Sequence, residues 1–318
     1  MKNDSKILNI THADMDGCGC SIILGNVFKS IKTVPIGYSS LDNTIFNIGV
    51  SNDYSGFEFI IITDLNLRKK HIVHLTKINI PFFILDHHQD IDMIHNGKNI
   101  IINEAKCGTT LTKSFIESIC NDINLSHLDI LSETILDYDL WLHKKIWSKP
   151  LNYLYGMYGF VEFKNRFMNG FSQDGILPSE QENLLRINEK IHKHWSMVKK
   201  TMMLSDTSKI VVIYSEPKYM NEMCDKILQN KINDAEIVFV INTTGFNGSI
   251  RTSRTDINMG EFLSDLKVGG GHKQAAGFEN NYIKENKTLV DSMKHDLILQ
   301  DIEKYIMMLE KKYPVILR

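Results

Sequence analysis

Histidine and aspartate recur in this chain at positions that suit divalent-cation chemistry. The first group is His12-Ala13-Asp14-Met15-Asp16-Gly17, directly behind the apolar run Ile7–Ile10. In an extended chain residues 12, 14 and 16 project to one side, so an imidazole and two carboxylates converge. Uncompensated anions this close are costly, and a cation or a shared proton is the usual remedy. Taken alone, the hexapeptide reads equally well as a polar loop capping the next helix. Asp64 closes a second apolar run, FIIIT, and alone reads first as a helix cap. Asp86-His87-His88 closes a third, PFFIL; adjacent histidines point in different directions, so one can join a given metal while the other faces elsewhere. Asp137-Tyr138-Asp139-Leu140-Trp141 follows the helical ETIL segment and alone suits a turn anchored by tryptophan. The conjunction of the four alters these readings, because strand ends of one parallel sheet lie side by side. Carboxylate and imidazole donors without thiolate suit manganese, magnesium, iron or cobalt.

Such a meeting requires elements that bring the four segments to one edge. Short apolar runs at Ile7–Ile10, Phe59–Ile62, Phe82–Leu85 and Ile100–Ile102 read as buried strands. They alternate with helical periodicity over Gly19–Ile31, Arg68–Ile78 and Thr109–Ile119, which predicts an α/β unit with a parallel sheet. A polar, helix-forming stretch from about Glu180 to Met202 reads as a connecting helix. Beyond it, strands are expected at Ile210–Tyr214, Ile237–Ile241 and Gly248–Ser253, then a glycine-rich segment at Gly269–Gly271. Helices are expected at Met220–Asn230 and Leu297–Lys312. The expected division is a catalytic unit over 1–175, a connecting helix over 176–203 and a second unit over 204–318.

Composition narrows the function classes. At roughly 150 residues per domain, 318 residues suggest two. Hydrophobic and charged fractions of 43% and 23% are those of globular protein. Through residue 175 there are 16 Lys+Arg against 19 Asp+Glu, and thereafter 20 against 19. Neither part is a basic domain, so no stable complex with long nucleic acid is expected. Five scattered cysteines without a CxxC pair suggest neither a disulfide framework nor structural zinc. The N-terminus lacks an apolar leader and no stretch approaches roughly 18 uninterrupted apolar residues, so a soluble cytoplasmic protein without membrane partners is expected.

With these motifs in order, the sequence resembles the DHH phosphoesterase superfamily: His12-x-Asp14-x-Asp16-Gly17, then Asp64, then the name-giving Asp86-His87-His88, then Asp137. Near the other end it resembles the DHHA1 substrate-binding domain, through Gly269-Gly270-Gly271-His272, the following Lys273-Gln274-Ala275-Ala276-Gly277-Phe278, and Arg251 within Ser249–Ser253. The match runs over roughly residues 7 to 280. The resemblance implies an N-terminal DHH domain, a smaller C-terminal α/β DHHA1 domain and an active site in the cleft between them. It further implies two divalent cations, commonly manganese, with magnesium or cobalt as alternatives. His12 and Asp14 would hold one ion, Asp16, His87 and Asp137 the other, and Asp64 would bridge them. His88 would stand beside the scissile phosphate. Asp139 is also placed to be the fourth-motif ligand; Asp137 is favoured, with Asp139 in a supporting position.

Paired cations can lower the pKa of a water and neutralise nonbridging phosphate oxygens, and His88 could serve the leaving oxygen as a donor. Three residues without Cβ allow backbone N–H groups close to an anion, while Arg251 and His272, with Ser253 nearby, add side-chain donors. A plain flexible loop is the alternative for the glycines. The favoured activity is hydrolysis of phosphodiester or phosphomonoester bonds in short oligoribonucleotides, linear dinucleotides or 3′-phosphoadenosine 5′-phosphate, as in the nanoRNase/pAp-phosphatase-like branch. The alternatives are a RecJ-like single-strand exonuclease and a catalytically inert nucleotide-binding protein. The resemblance also admits a homodimer.

Overall fold

Isoleucine, leucine and phenylalanine dominate the central strands of the first sheet, and burial on both faces explains why these runs do not alternate with polar residues. A computed structural model describes residues 2–51, 54–88, 99–120, 123–245, 247–286 and 288–317. The elements of the first part are β1 (Lys6–His12), α1 (Met15–Gly25), β2 (Ser30–Ile36), α2 (Tyr38–Asn47), β3 (Phe59–Thr63), α3 (Lys69–Leu75), β4 (Phe82–Asp86), β5 (Ile100–Ile102), α4 (Gly108–Ile119), α5 (Asp129–Asp139) and α6 (Ser148–Phe167). The five strands form a sheet of order β2-β1-β3-β4-β5 with every pairing parallel. Side chains alternate between two cores. Ile7, Ile61 and Leu85 pack with Ile22, Phe115 and Ile135 on one face. Leu8, Ile10, Ile60, Ile62 and Ile84 pack with Leu41, Ile45 and Leu75 on the other.

One expectation fails here. The helix read over Gly19–Ile31 ends at Gly25, and the next residues turn into β2, an edge strand. Its sequence SIKTVPI is half exposed and holds Pro35, which an edge tolerates because one side of the strand needs no ladder hydrogen bonds.

The chain divides into two compact units, Met1–Leu185 and Arg186–Arg318, and helix α7 (Pro178–Val198) carries the boundary. The second unit adds β6 (Met203–Leu204), β7 (Ile210–Ser215), α8 (Met220–Gln229), β8 (Ile237–Asn242), β9 (Asn247–Thr252), α9 (Met259–Asp265), β10 (Gly269–His272), β11 (Ala275–Glu279), α10 (Asn281–Glu285) and α11 (Asp291–Lys312). Its sheet has the order β10-β11-β9-β8-β7-β6; β7 and β8 are parallel and the other pairings antiparallel. Phe239, Ile241 and Phe278 pack against Ile298, Ile302 and Tyr305 of α11. The glycine-rich segment is itself a strand rather than a loop, with Gly269 opposite Phe278 and His272 opposite Ala275. A Cβ at Gly269 would lie 1.9 Å from the Gly277 carbonyl oxygen, and Gly271 has a φ of +142°, so both positions need glycine. Among the described residues no helix is long and apolar enough to cross a membrane.

Candidate metal centre

The carboxyl ends of β1, β3 and β4 gather the chemistry-bearing side chains. His12 is the last residue of β1, and its Nδ1 lies 2.7 Å from Asp14 Oδ2. The other Asp14 oxygen accepts the Gly17 N–H at 2.9 Å and caps α1. Any Cβ at residue 17 would meet the His12 carbonyl at 2.0 Å, so this strand-to-helix turn closes only with glycine. Asp16, in the first turn of α1, accepts one backbone N–H on each oxygen: Gly108 at 2.6 Å and Thr109 at 2.9 Å, both at the start of α4.

Asp64 follows β3 with a φ of +54°, a left-handed conformation that costs a residue with a Cβ about 1–2 kcal/mol. Its N–H remains tied to the Leu85 carbonyl at 3.0 Å, which fixes the turn against β4. The carboxylate is central to the cluster. Oδ1 is 3.2 Å from His87 Nε2 and 4.0 Å from His88 Nδ1, and Oδ2 is 3.9 Å from His12 Nδ1. Asp86, the last residue of β4, uses Oδ1 twice, accepting the His87 N–H at 2.8 Å and lying 2.7 Å from His88 Nδ1. The two histidine rings do not point apart as the sequence suggests: their centroids lie 4.5 Å from one another, and both face Asp64 Oδ1. His87 turns inward and His88 is held by Asp86.

The fourth motif divides between its two aspartates. Asp137, favoured from the sequence, points away from the cluster: its carboxylate accepts the Lys144 and Lys145 N–H groups, each at 2.9 Å. It thereby clamps the turn leaving α5, in which Trp141 and His143 have φ of +58° and +49°. Asp139 is the one of the two brought to the cluster, with Oδ2 3.5 Å from His87 Nε2. Two residues apart on a helix, the two aspartates face nearly opposite directions, so only one can reach the cluster.

Among the described residues, ligand atoms fall within 4.8 Å of one another in three groups: His12, Asp14 and Asp64; Asp16, His87 and Asp139; and Asp64, Asp86, His87 and His88. The cluster is closed on one side and open on the other. The side chains of Asp16, Asp64 and His87 are at most 2% exposed, whereas His12 and Asp14 are 26% and 41% exposed. Burial, followed by the Asp14, Asp16 and Asp139 carboxylates, pushes the Asp64 carboxyl well above its ordinary range. Burial, followed by Asp16, Asp14 and Asp86, does the same to Asp139. Burial, with some help from His88, holds His87 below its ordinary value, favouring the neutral imidazole that ligates metals. Asp64 Oδ2 and Asp139 Oδ2 are buried and accept no hydrogen bond from the described residues. Crowded carboxylates with such oxygens are what a divalent cation satisfies, and the oxygen and imidazole donors fit a hard or borderline ion.

The remaining expected residues lie in the second unit. Arg251, on β9, donates to Asn221 Oδ1 at 2.9 Å and to the Ile250 carbonyl at 3.1 Å. Strand register aligns Arg251 with Ala275 and Ala275 with His272, so the arginine and histidine positions sit in one row across β9, β11 and β10. Gly269, Gly270 and Gly271 complete β10, and Ser253 lies just beyond β9, its N–H donating to the Glu236 carbonyl. Arg254 is engaged in ion pairs with Glu236 and Asp256. The sequence reading did not identify Gly108 and Thr109 as the holders of Asp16. Nor did it identify Tyr38, whose ring lies 5.3 Å from that of His12 and 6.5 Å from that of His88. A glycine-threonine pair opening a predicted helix was the available signal for the first; nothing marked the tyrosine.

Comparison with known proteins bears on both units. The DHHA1 domain is matched over residues 207–306. No protein of curated function matches the chain. Among solved structures, RecJ from Thermus thermophilus in complex with Mn2+ is similar at 14% identity and a TM-score of 0.55, over 92% of this chain and 52% of that one. An exopolyphosphatase-related protein from Bacteroides fragilis is similar at 13% identity and a TM-score of 0.54, over 96% and 94%. A pGpG-specific phosphodiesterase from Vibrio cholerae is similar at 14% identity and a TM-score of 0.52, over 93% and 98%.

Proposed function

We propose that the chain is a phosphoesterase of the DHH/DHHA1 superfamily that hydrolyses short oligonucleotides or small nucleotides, with two divalent cations, manganese foremost, as cofactors. The observation that carries this reading is the convergence of His12, Asp14, Asp16, Asp64, His87 and Asp139, including two buried carboxylate oxygens that no described residue satisfies. Bound cations would supply a water of lowered pKa and a sink for charge on the phosphoryl oxygens.

The chain's own residues do the rest. Asp64 belongs to two of the ligand groups, which suits a bridging carboxylate. Asp86 orients His88 through Nδ1; burial opposes ionisation of this imidazole most strongly, but the Asp86 charge and hydrogen bond together with the Asp14 and Asp16 charges raise the His88 pKa above its ordinary value. With Nδ1–H given to Asp86, the positively charged imidazole keeps an Nε2–H that can be donated to the leaving oxygen. Arg251 and the β10 backbone would receive a phosphate or base of the substrate, which is the role proposed for the second unit. The near absence of net charge, −2 over 318 residues, favours small substrates over long nucleic acid.

Similarity to RecJ at a TM-score of 0.55 keeps single-strand exonuclease activity as the second reading, although this chain spans about half of that structure's length. Both readings are tested by incubating the purified chain with Mn2+ and 3′-phosphoadenosine 5′-phosphate, linear dinucleotides, RNA pentamers or long single-stranded DNA. Release of mononucleotide or phosphate from the small substrates supports the proposal. Processive digestion of the DNA alone would replace it with the exonuclease reading, and no product from any of them would refute both.

A further inference from the structure

Asp16 is the cluster member with the most elaborate support, and that support comes from a helix with no metal ligand of its own. The first two residues of the 12-residue helix α4 each donate a backbone N–H to a different Asp16 oxygen, at 2.6 and 2.9 Å. Thr109 Oγ1 also donates to the Asp16 carbonyl at 2.8 Å, so side chain and main chain are held together. The clearances match. A Cβ at Gly108 would lie 2.8 Å from both Asp16 Oδ2 and Asp64 Cβ, and a Cβ at Gly19 would lie 2.1 Å from Thr109 Oγ1. The glycines at 19 and 108 thus let α1 and α4 approach closely enough for the bonds to form.

We propose that Gly108 and Thr109 are positioning residues for cation binding, holding the Asp16 carboxylate in one rotamer beside Asp64 and His87. Contacts to both oxygens prevent rotation of the carboxylate, yet each oxygen keeps a second lone-pair direction for a cation. Oδ2 lies 3.8 Å from His87 Nε2, close enough for one ion to be shared by both. The Thr109 hydroxyl ties the first turn of α1 to α4, so its loss loosens the ligand without removing a donor atom from the centre.

This inference rests on the proposed metal-dependent function, and Mn2+ titration of the full chain, followed calorimetrically and by electron paramagnetic resonance, separates the two. The parent chain is expected to bind two ions. Thr109→Val preserves the side-chain shape and is expected to weaken one of the two sites by about 10–100-fold, the range seen when the supports of metal ligands are removed. Thr109→Ser restores the hydroxyl and is expected to bind within a few fold of the parent. At excess Mn2+, Thr109→Val should recover its kcat with an unchanged KM, which a general packing defect would not allow. Gly108→Ala should weaken the same site more strongly. Should Thr109→Val fail to fold, Thr109→Ala carries the same expectation. Unchanged affinity of both sites in folded Thr109→Val overturns the positioning role alone, whereas a parent chain that binds no Mn2+ overturns the functional reading with it.

Discussion

The two units present their candidate functional residues in opposite ways. In the first, His12, Asp64 and Asp86-His87-His88 sit at or just beyond the ends of parallel strands, where common strand polarity brings distant segments to one edge. In the second, Arg251 and His272 sit within an antiparallel ladder, and their alignment follows from register. Strand ends permit charged side chains to crowd together, because the turns beyond them can take unusual backbone angles, as Asp64 does. The ladder instead fixes register and, at Gly269 and Gly271, relies on glycine. The first unit should therefore be sensitive to charge, and the second to volume.

The largest expected effect tests the charge side. Asp64→Asn and Asp139→Asn should each lower turnover on the order of 10³-fold or more while leaving the fold intact. Asp137→Asn should leave turnover within tenfold but cost about 1–3 kcal/mol in urea unfolding, since it breaks the clamp on the Lys144 and Lys145 amides. If Asp137→Asn were the inactive variant and Asp139→Asn the active one, the assignment would reverse. On the volume side, Gly269→Ala should destabilise the second unit by about 1–3 kcal/mol, because its Cβ would meet a backbone oxygen at 1.9 Å, and Mn2+ affinity should not change. A comparable loss of Mn2+ binding would break the division of labour.

Smaller effects sharpen the comparison. Arg251→Ala is expected to raise KM about tenfold with kcat little changed, the signature of lost substrate binding. Glu180, fully buried in the first unit, accepts from Tyr158, Arg166 and the Leu177 N–H. Burial opposes its ionisation most strongly, but Arg166, Leu177 and Tyr158 together hold its pKa below the ordinary 4.5. Its contribution is therefore present above about pH 4.5 and lost as the pH falls through the lower folded value. Glu180→Gln should cost about 1–2 kcal/mol at pH 7, and the cost should shrink as the pH falls below 4.5, read from urea midpoints.

Much of the fold was legible because β1, β3, β4, β5, β7 and β8 are apolar runs with sharp polar boundaries. The strand β2 was not, because an edge strand carries polar residues and resembles the tail of the preceding helix. Clustering at strand ends was readable for His12, Asp64 and His87, whose directions follow from the strands. The choice between Asp137 and Asp139 was not, because it depends on how α5 is rotated by Leu131 and Ile135 in the core, a tertiary matter. The glycines of β10 were noticed, but for their freedom near an anion. Their close packing against β11 became visible only with the register.

The left-handed backbone at Asp64 has a practical implication. Glycine adopts that conformation without penalty, and Asp64→Gly would also remove one of several mutually repelling carboxylates. The substituted protein should outlast its parent on heating in the absence of divalent ions. A search for durable variants that scored heat resistance alone would therefore favour losing this aspartate, and so discard the residue that draws the centre together.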